Sequence, residues 1–137
     1  MSGETPPERA PELRTIAMPA DTNAVGDIFG GWLLAQMDLA GGSFAIQAAR
    51  GRVATVGIEA MSFHRPVLVG DLVSCYCSTH RVGRTSLTVH VQTWVRRGDR
   101  EAGAALDLKV TEGMFTFVAL KEDGSKRMLP EELRDGG

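Results

Sequence analysis

The sequence has few cysteines, no excess of basic residues and no long apolar run, and each absence excludes a class of protein. Two cysteines among 137 residues do not support a disulfide scaffold. Lys and Arg number 15 against 17 Asp and Glu, and the net charge of −2 argues against a dedicated nucleic-acid binder. No run approaches the roughly 20 apolar residues of a membrane span, and no secretory signal pattern opens the chain. We expect a cytoplasmic protein that does not associate with membranes.

The residue types that bind metals are sparse and poorly spaced. Cys75 and Cys77 lie two apart in an alternating stretch, so on a strand both point to one face, and they do not form a CxxC motif. His64, His80 and His90 form no metal-ligand spacing with Asp, Glu or Cys. We predict two thiols that pack as small hydrophobes, and no metal site.

Glycine is abundant, at 16 residues, and two glycines lie inside the one segment with a helical pattern. From Trp32 to about Ala49 apolar residues recur three and four positions apart around a single charge, Asp38. A helix that is apolar on all sides is predicted to be enclosed. Gly41 and Gly42 cost about 1 kcal/mol each relative to alanine, so we expect another backbone, such as that of a sheet wrapped around the helix, to approach closely there.

Most of the remaining sequence has the composition of β-strands. A short strand precedes the helix and four longer ones follow it, over residues 13–18, 53–64, 71–81, 86–96 and 106–120. Short connections predict an antiparallel sheet, which with one packed helix gives an α+β domain over residues 13–121. Gly113 coincides with a change of apolar phase and predicts a bulge in the last strand. Long sheet edges predict oligomerisation.

The two ends of the chain are polar. Residues 1–12 contain three prolines and are predicted to be a disordered tail. Residues 122–137 are predicted to be a polar C-terminal tail.

Asp38 is the first candidate for chemistry, because a buried, unpaired carboxylate costs on the order of several kcal/mol. Either it points through a gap to solvent or to an arginine, or it is a catalytic carboxylate facing an apolar cleft. Asn23 and Asp27, in the loop before the helix, are either ordinary turn residues or site contacts. Gly30 and Gly31 leave N–H groups open at the helix N-terminus, where the helix dipole suits an oxyanion or a phosphate.

Several strings of residues resemble a known family. The matching strings include Met18-Pro19-Ala20-Asp21-Thr22-Asn23-Ala24, Gly26-Asp27-Ile28-Phe29-Gly30-Gly31-Trp32, Gln36-Met37-Asp38, Val82-Gly83-Arg84 and Phe115-Thr116-Phe117-Val118. They resemble the bacterial acyl-CoA thioester hydrolases of the YciA type, which have the hotdog fold. The resemblance spans roughly residues 13–130. It implies a curled antiparallel sheet around a central helix and an acyl-CoA substrate, with no cofactor because coenzyme A is part of the substrate.

The resemblance also implies a role for each matched residue. Asp38 is the general base or the nucleophile, Asn23 helps to place substrate or water, and the N–H groups at Gly31 polarise the thioester carbonyl. The other expected substrate contacts lie in the loop, at the end of the second strand and in the hairpin: Asp27, Phe29, Gly30, Ser62, Phe63, Gly83, Arg84, Thr85 and Ser86. Arg84 would be the cation of a hairpin that contacts the coenzyme A portion.

Ser62 departs from the family pattern, which has asparagine before Phe63. The properties that this difference would affect are hydrogen bonding to a partner strand and the preference for acyl-chain length. In such enzymes the site lies between subunits, and the resemblance favours a trimer of dimers.

Two alternative functions remain open at this stage. A non-catalytic acyl-CoA sensor would share the fold and the groove but would not need Asp38. A hydroxyacyl thioester dehydratase relies on a histidine paired with an acid, and His64-Arg65-Pro66 superficially resembles its histidine segment. In dehydratases, however, that histidine precedes the central helix, and here no histidine occurs before His64.

Overall fold

The computed structural model describes residues 5–99 and 104–136, and in them five strands and one long helix make up most of the fold. In chain order the elements are β1 (Leu13–Ile16), a 3-10 turn (Pro19–Asp21), α1 (Gly30–Ala49), β2 (Val53–Phe63), β3 (Leu72–Val82), β4 (Ser86–Asp99), β5 (Ala104–Ala119) and α2 (Glu131–Gly136). The predicted order of strand, long helix and four strands is confirmed.

The five strands form one sheet in the order β1-β3-β4-β5-β2, and every neighbouring pair is antiparallel. Helix α1 contacts all five strands, so the sheet curls around it. This confirms the predicted α+β architecture with a central helix. β1 and β2 are the two edges of the sheet. Neither helix of the described part is long and apolar enough to cross a membrane.

One face of α1 packs against the sheet and the opposite face does not. Leu33, Met37 and Ala45 are buried in the core. Leu39 and Ile46, on other sides of the helix, are 61% and 48% exposed. The prediction of a helix enclosed on all sides is therefore wrong for the single chain, because one sheet covers only one side of a helix.

The sheet approaches α1 most closely at Gly41. A Cβ atom at this position would lie 3.0 Å from Phe117 Cζ and 3.3 Å from Val91 Cγ2. The sheet thus comes close to the helix at Gly41, but the atoms that approach are side chains and not the backbone that the two glycines predicted.

The predicted bulge at Gly113 of β5 is instead an irregularity of β2. The β2–β5 register skips a residue opposite Gly113, Ala60 adopts a left-handed φ of 55°, and the Met61 side chain occupies the space where a Cβ of Gly113 would be. The glycine accommodates a bulge of its partner strand, whereas the change of apolar phase in β5 comes from an extra residue of β5 itself, before Gly113. The slip within β5, against β4, falls at Val110.

The N-terminal segment was predicted to be a disordered tail over residues 1–12. Residues 1–4 lie outside the described part, and the rest of the segment runs alongside β3 and binds it through hydrogen bonds. The Arg9 guanidinium donates a hydrogen bond to Cys77 O at 3.0 Å, and Glu12 N donates to Cys75 O at 2.8 Å. Both cysteines are free and buried, as predicted. Burial raises the pKa of the Cys75 thiol to about 11 and that of Cys77 to about 12.

The C-terminal segment was predicted to be a polar tail over residues 122–137, but as far as residue 136, where the described part ends, it packs on the domain. Leu129 is 2% exposed within the core, and α2 follows it. The Arg127 guanidinium donates to Ala49 O at 2.9 Å, so it binds a carbonyl at the C-terminal end of α1. One buried leucine and one arginine attach an otherwise polar segment to the domain.

Candidate active site

A cavity of about 440 Å³ lies between α1 and the β2 edge of the sheet. The helix lines it with two parallel rows of residues spaced four apart, Asp38, Gly42 and Ile46 in one row and Leu39, Ser43 and Gln47 in the other. The sheet side consists of Val53, Thr55 and Phe117. The walls are therefore mainly apolar, and Asp38 brings the only charge to them.

Asp38 is partly buried and is held at one oxygen. Thr55 Oγ1 donates a hydrogen bond to Asp38 Oδ1 at 2.7 Å. Over residues 5–99 and 104–136, Asp38 Oδ2 has no hydrogen-bond partner and the carboxylate forms no ion pair. An oriented carboxylate with one oxygen available is suited to accept a proton or to attack an electrophile.

The backbone of β2 explains the position of Thr55. Thr55 pairs with Phe117 of β5, and both residues line the cavity. Val56, the next residue, is the extra residue of a register shift between Thr55 and Gly57. Bulges of this kind change the direction of neighbouring side chains and are frequent beside functional sites. Sequence reasoning missed Thr55, because a threonine in a strand is common and no local motif joins it to Asp38.

The loop before α1 is closed by Asn23. Its Oδ1 accepts hydrogen bonds from Val25 N at 3.0 Å and Asp27 N at 3.1 Å, and Asn23 N donates to Asp27 O at 2.7 Å. In this chain Asn23 therefore has the turn role, and neither it nor Asp27 lines the cavity of Asp38. A role in substrate placement remains a prediction.

The N-terminus of α1 is open to solvent. Phe29, its N-cap residue, is 51% exposed and forms no side-chain capping hydrogen bond. A Cβ added at Gly30 or Gly31 would meet no atom within 4 Å. Gly30 and Gly31 are both exposed, and binding of an oxyanion by their N–H groups remains a prediction. Gly31 lies seven residues before Asp38, which is about 10 Å along the helix axis.

Two further predicted contacts lie near the end of β2. Ser62 O accepts a hydrogen bond from Thr111 Oγ1 at 2.8 Å, and the Phe63 side chain is exposed. Neither residue lines the cavity of Asp38.

The predicted hairpin connection between β3 and β4 is present. Gly83 N donates to Ser86 O at 2.7 Å, which closes the turn. The carbonyls of Arg84 and Thr85 accept hydrogen bonds from the chain's own backbone, at 2.9 Å each, while the Arg84 side chain is exposed. These four residues do not line the cavity either, so Asp38 is the one predicted site residue that does.

His64 lies in a separate polar cleft of about 540 Å³. Its Nε2 and that of His90 each lie 3.0 Å from a carboxylate oxygen of Glu112, and Lys109 Nζ lies 2.9 Å from the same carboxylate. The hydrogen bond from Lys109, with those involving the two histidines, lowers the pKa of Glu112 to about 2. His64 is thus paired with an acid, away from Asp38. What distinguishes the chain from the histidine-based alternative is the position of this histidine after the central helix.

Comparisons with known proteins agree with this geometry. A family model described as Thioesterase superfamily matches residues 25–102, more than half of the chain. The acyl-CoA thioester hydrolase YciA of Salmonella typhimurium is 50% identical over 118 residues, covering 86% of this chain and 88% of that protein. The protein of the same name from Escherichia coli is 49% identical over 120 residues, covering 88% and 90%.

Solved structures of other thioesterases have the same fold as this chain. A hexameric hotdog fold thioesterase of Campylobacter jejuni is 40% identical with a TM-score of 0.88, covering 93% of this chain and 95% of that one. A hexameric thioesterase of Yersinia pestis is 44% identical with a TM-score of 0.83, covering 93% and 100%. On fold and sequence together, the chain belongs to the hotdog-fold thioesterase superfamily and, within it, to the family of the YciA acyl-CoA thioester hydrolases.

Proposed function

We propose that this chain is an acyl-CoA thioesterase that hydrolyses acyl-CoA to a carboxylic acid and coenzyme A. The observation that carries the proposal is the Asp38 carboxylate, oriented by Thr55 on the wall of an otherwise apolar cavity. The relatives that share about half of its residues are named acyl-CoA thioester hydrolases. The apolar cavity suits an acyl chain, and the carboxylate is beside it.

Asp38 acts in one of two ways. As a general base, it accepts a proton from water while the water oxygen bonds to the thioester carbonyl carbon; the tetrahedral intermediate then expels the thiolate, which takes up a proton. As a nucleophile, Asp38 bonds to the carbonyl carbon itself, the thiolate leaves, and water hydrolyses the resulting anhydride. Both routes yield a carboxylic acid and free coenzyme A.

The carbonyl oxygen would be polarised by the N–H groups at Gly31 of a second copy of the chain. Within one chain Gly31 and Asp38 are about 10 Å apart along α1, too far to act on one carbonyl group. Exposed apolar residues beside the cavity, including Leu39, Ile46 and Val56, supply a surface that a second copy can cover. We therefore propose a homo-oligomer with sites between subunits, a trimer of dimers as the hexameric relatives suggest.

In this assembly, the remaining predicted site residues would contact the substrate. Asn23, with Asp27, Phe29 and Gly30, would place the substrate or the attacking water from the neighbouring copy. Ser62 and Phe63 would contact the substrate from the end of β2. The hairpin residues would contact the coenzyme A portion: Gly83, Arg84, Thr85 and Ser86. No cofactor is required, and we place the enzyme in the cytoplasm.

The test is thiol release from acyl-CoA by the wild type and by Asp38→Asn. We expect the wild type to release coenzyme A and the variant to lose roughly 10²- to 10⁴-fold in kcat, with an unchanged circular dichroism spectrum. Wild-type binding of acyl-CoA without thiol release would instead show a sensor. Hydration of an enoyl thioester without thiol release would show a dehydratase, and full activity of the variant would remove Asp38 from the mechanism.

A further inference from the structure

The two adjacent glycines of α1 have different surroundings. At Gly41 an added Cβ would lie 3.0 Å from Phe117 Cζ, so the packing of the sheet requires the small residue. At Gly42 an added Cβ would have a single neighbour within 4 Å, Phe117 Cε1 at 3.8 Å, which is an ordinary contact distance. Packing within the described chain does not require Gly42, although glycine in a helix costs about 1 kcal/mol relative to alanine.

Gly42 forms part of the wall of the Asp38 cavity. It lies one turn after Asp38 and one turn before Ile46 in the same row of α1, about 6 Å along the axis from each. Val53 and Phe117 form the opposite wall. The bare backbone at residue 42 therefore leaves open the passage from the carboxylate toward Ile46.

The neighbouring helix row is polar beyond Leu39. Ser43 Oγ and Gln47 Nε2 donate hydrogen bonds to a carboxylate oxygen of Glu12, at 3.0 and 3.3 Å. These bonds hold the charged Glu12 carboxylate beside the Ser43 row, and an apolar chain lying there would take it out of water. An apolar ligand chain that starts at Asp38 is therefore directed past Gly42 rather than along the Ser43 row.

We propose that Gly42 determines the length of the acyl chain that the enzyme accepts, by keeping the groove open between Asp38 and Ile46. The proposal deepens the proposed function and rests on it. Short acyl groups end before residue 42 and do not need the space, whereas longer ones must pass it. A side chain at this position would close the groove without disturbing the fold.

The experiment compares Gly42→Ala and Gly42→Leu with the wild type, using kcat/KM for butyryl-, octanoyl- and hexadecanoyl-CoA. We expect Gly42→Leu to lower the ratio of hexadecanoyl to butyryl turnover by roughly 10-fold or more, with Gly42→Ala between it and the wild type. Gly42→Ala should melt at the same or a higher temperature, because alanine favours the helix. Gly41→Ala is the matched control: it should lower the melting temperature and leave the ratio unchanged.

An unchanged ratio in a folded Gly42→Leu protein would overturn the proposal. Affinities of the same three compounds, measured by calorimetry on Asp38→Asn with and without Gly42→Leu, separate this failure from that of the proposed function. If the wild type releases no thiol, thioesterase activity is wrong, and Gly42 is then judged by affinity alone. Selective loss of hexadecanoyl-CoA binding supports its role in the groove, and equal binding refutes it.

Discussion

A carboxylate is an effective base only when its orientation is fixed, and in this chain one hydrogen bond fixes it. Thr55 Oγ1 holds Asp38 Oδ1, while Oδ2 has no hydrogen-bond partner among the described residues. Asp38 could be predicted from the sequence, because a lone charge in an apolar helix is costly and invites a functional explanation. Thr55 could not be predicted, because it and Asp38 lie 17 positions apart on different elements. Its contact also depends on a bulge in β2, which no local sequence pattern predicts.

Replacing Thr55 tests this positioning role. Thr55→Val keeps the shape of the side chain but removes the donor, and a hydrogen bond to a charged group contributes about 1.5–3 kcal/mol. We expect kcat to fall roughly 10- to 100-fold with little change in KM. Thr55→Ser retains a hydroxyl and should recover most of the activity. Equal activity of the valine and serine variants would show that the bond to Asp38 does not contribute to turnover.

At the scale of elements, the sequence correctly predicts the type and the order of α1 and the five strands, and it places their boundaries closely. Helix α1 was expected from Trp32 and begins at Gly30, because the two glycines that suggested an open N-terminus already form its first turn. Periodicity identifies elements that bury a whole face. It fails for the segment around Leu129, where one buried leucine lies in a polar run and packs in a core formed by residues far away in the sequence.

Arg127 provides a test of how that segment supports the domain. Its guanidinium donates hydrogen bonds to Ala49 O, Leu120 O and Arg52 O, so it joins the end of α1 to the end of β5. We expect Arg127→Ala to lower the free energy of unfolding by about 1–3 kcal/mol in urea titrations. Arg52→Ala, which removes one exposed hydrogen bond to Glu122 O, is the control and should cost under about 0.5 kcal/mol. Equal losses would mean that Arg127 has no special role at the helix end.

At the scale of the whole molecule, two parts of the proposed site do not meet within the single chain. The open N-terminus of α1 and the carboxylate of Asp38 lie on one helix, about 10 Å apart along it, and Asn23 lies in the loop before the helix, outside the cavity of Asp38. The proposed two-fold arrangement of two copies would bring them together, since each copy would offer its helix start to the other's carboxylate. The exposed apolar residues of β2 and α1 lie beside the cavity, where such a partner would pack.

This arrangement predicts that two impaired variants restore each other. Asn23→Ala and Asp38→Asn should each be impaired as pure oligomers. In a mixed dimer, one of the two sites combines the intact loop of the Asp38→Asn chain with the intact carboxylate of the Asn23→Ala chain. Mixed oligomers, co-expressed with two different tags and purified through both, should therefore release thiol faster than either parent. If loop and carboxylate of one chain served the same site, every site in the mixture would contain one defect, and the mixed oligomers would be no more active than their parents.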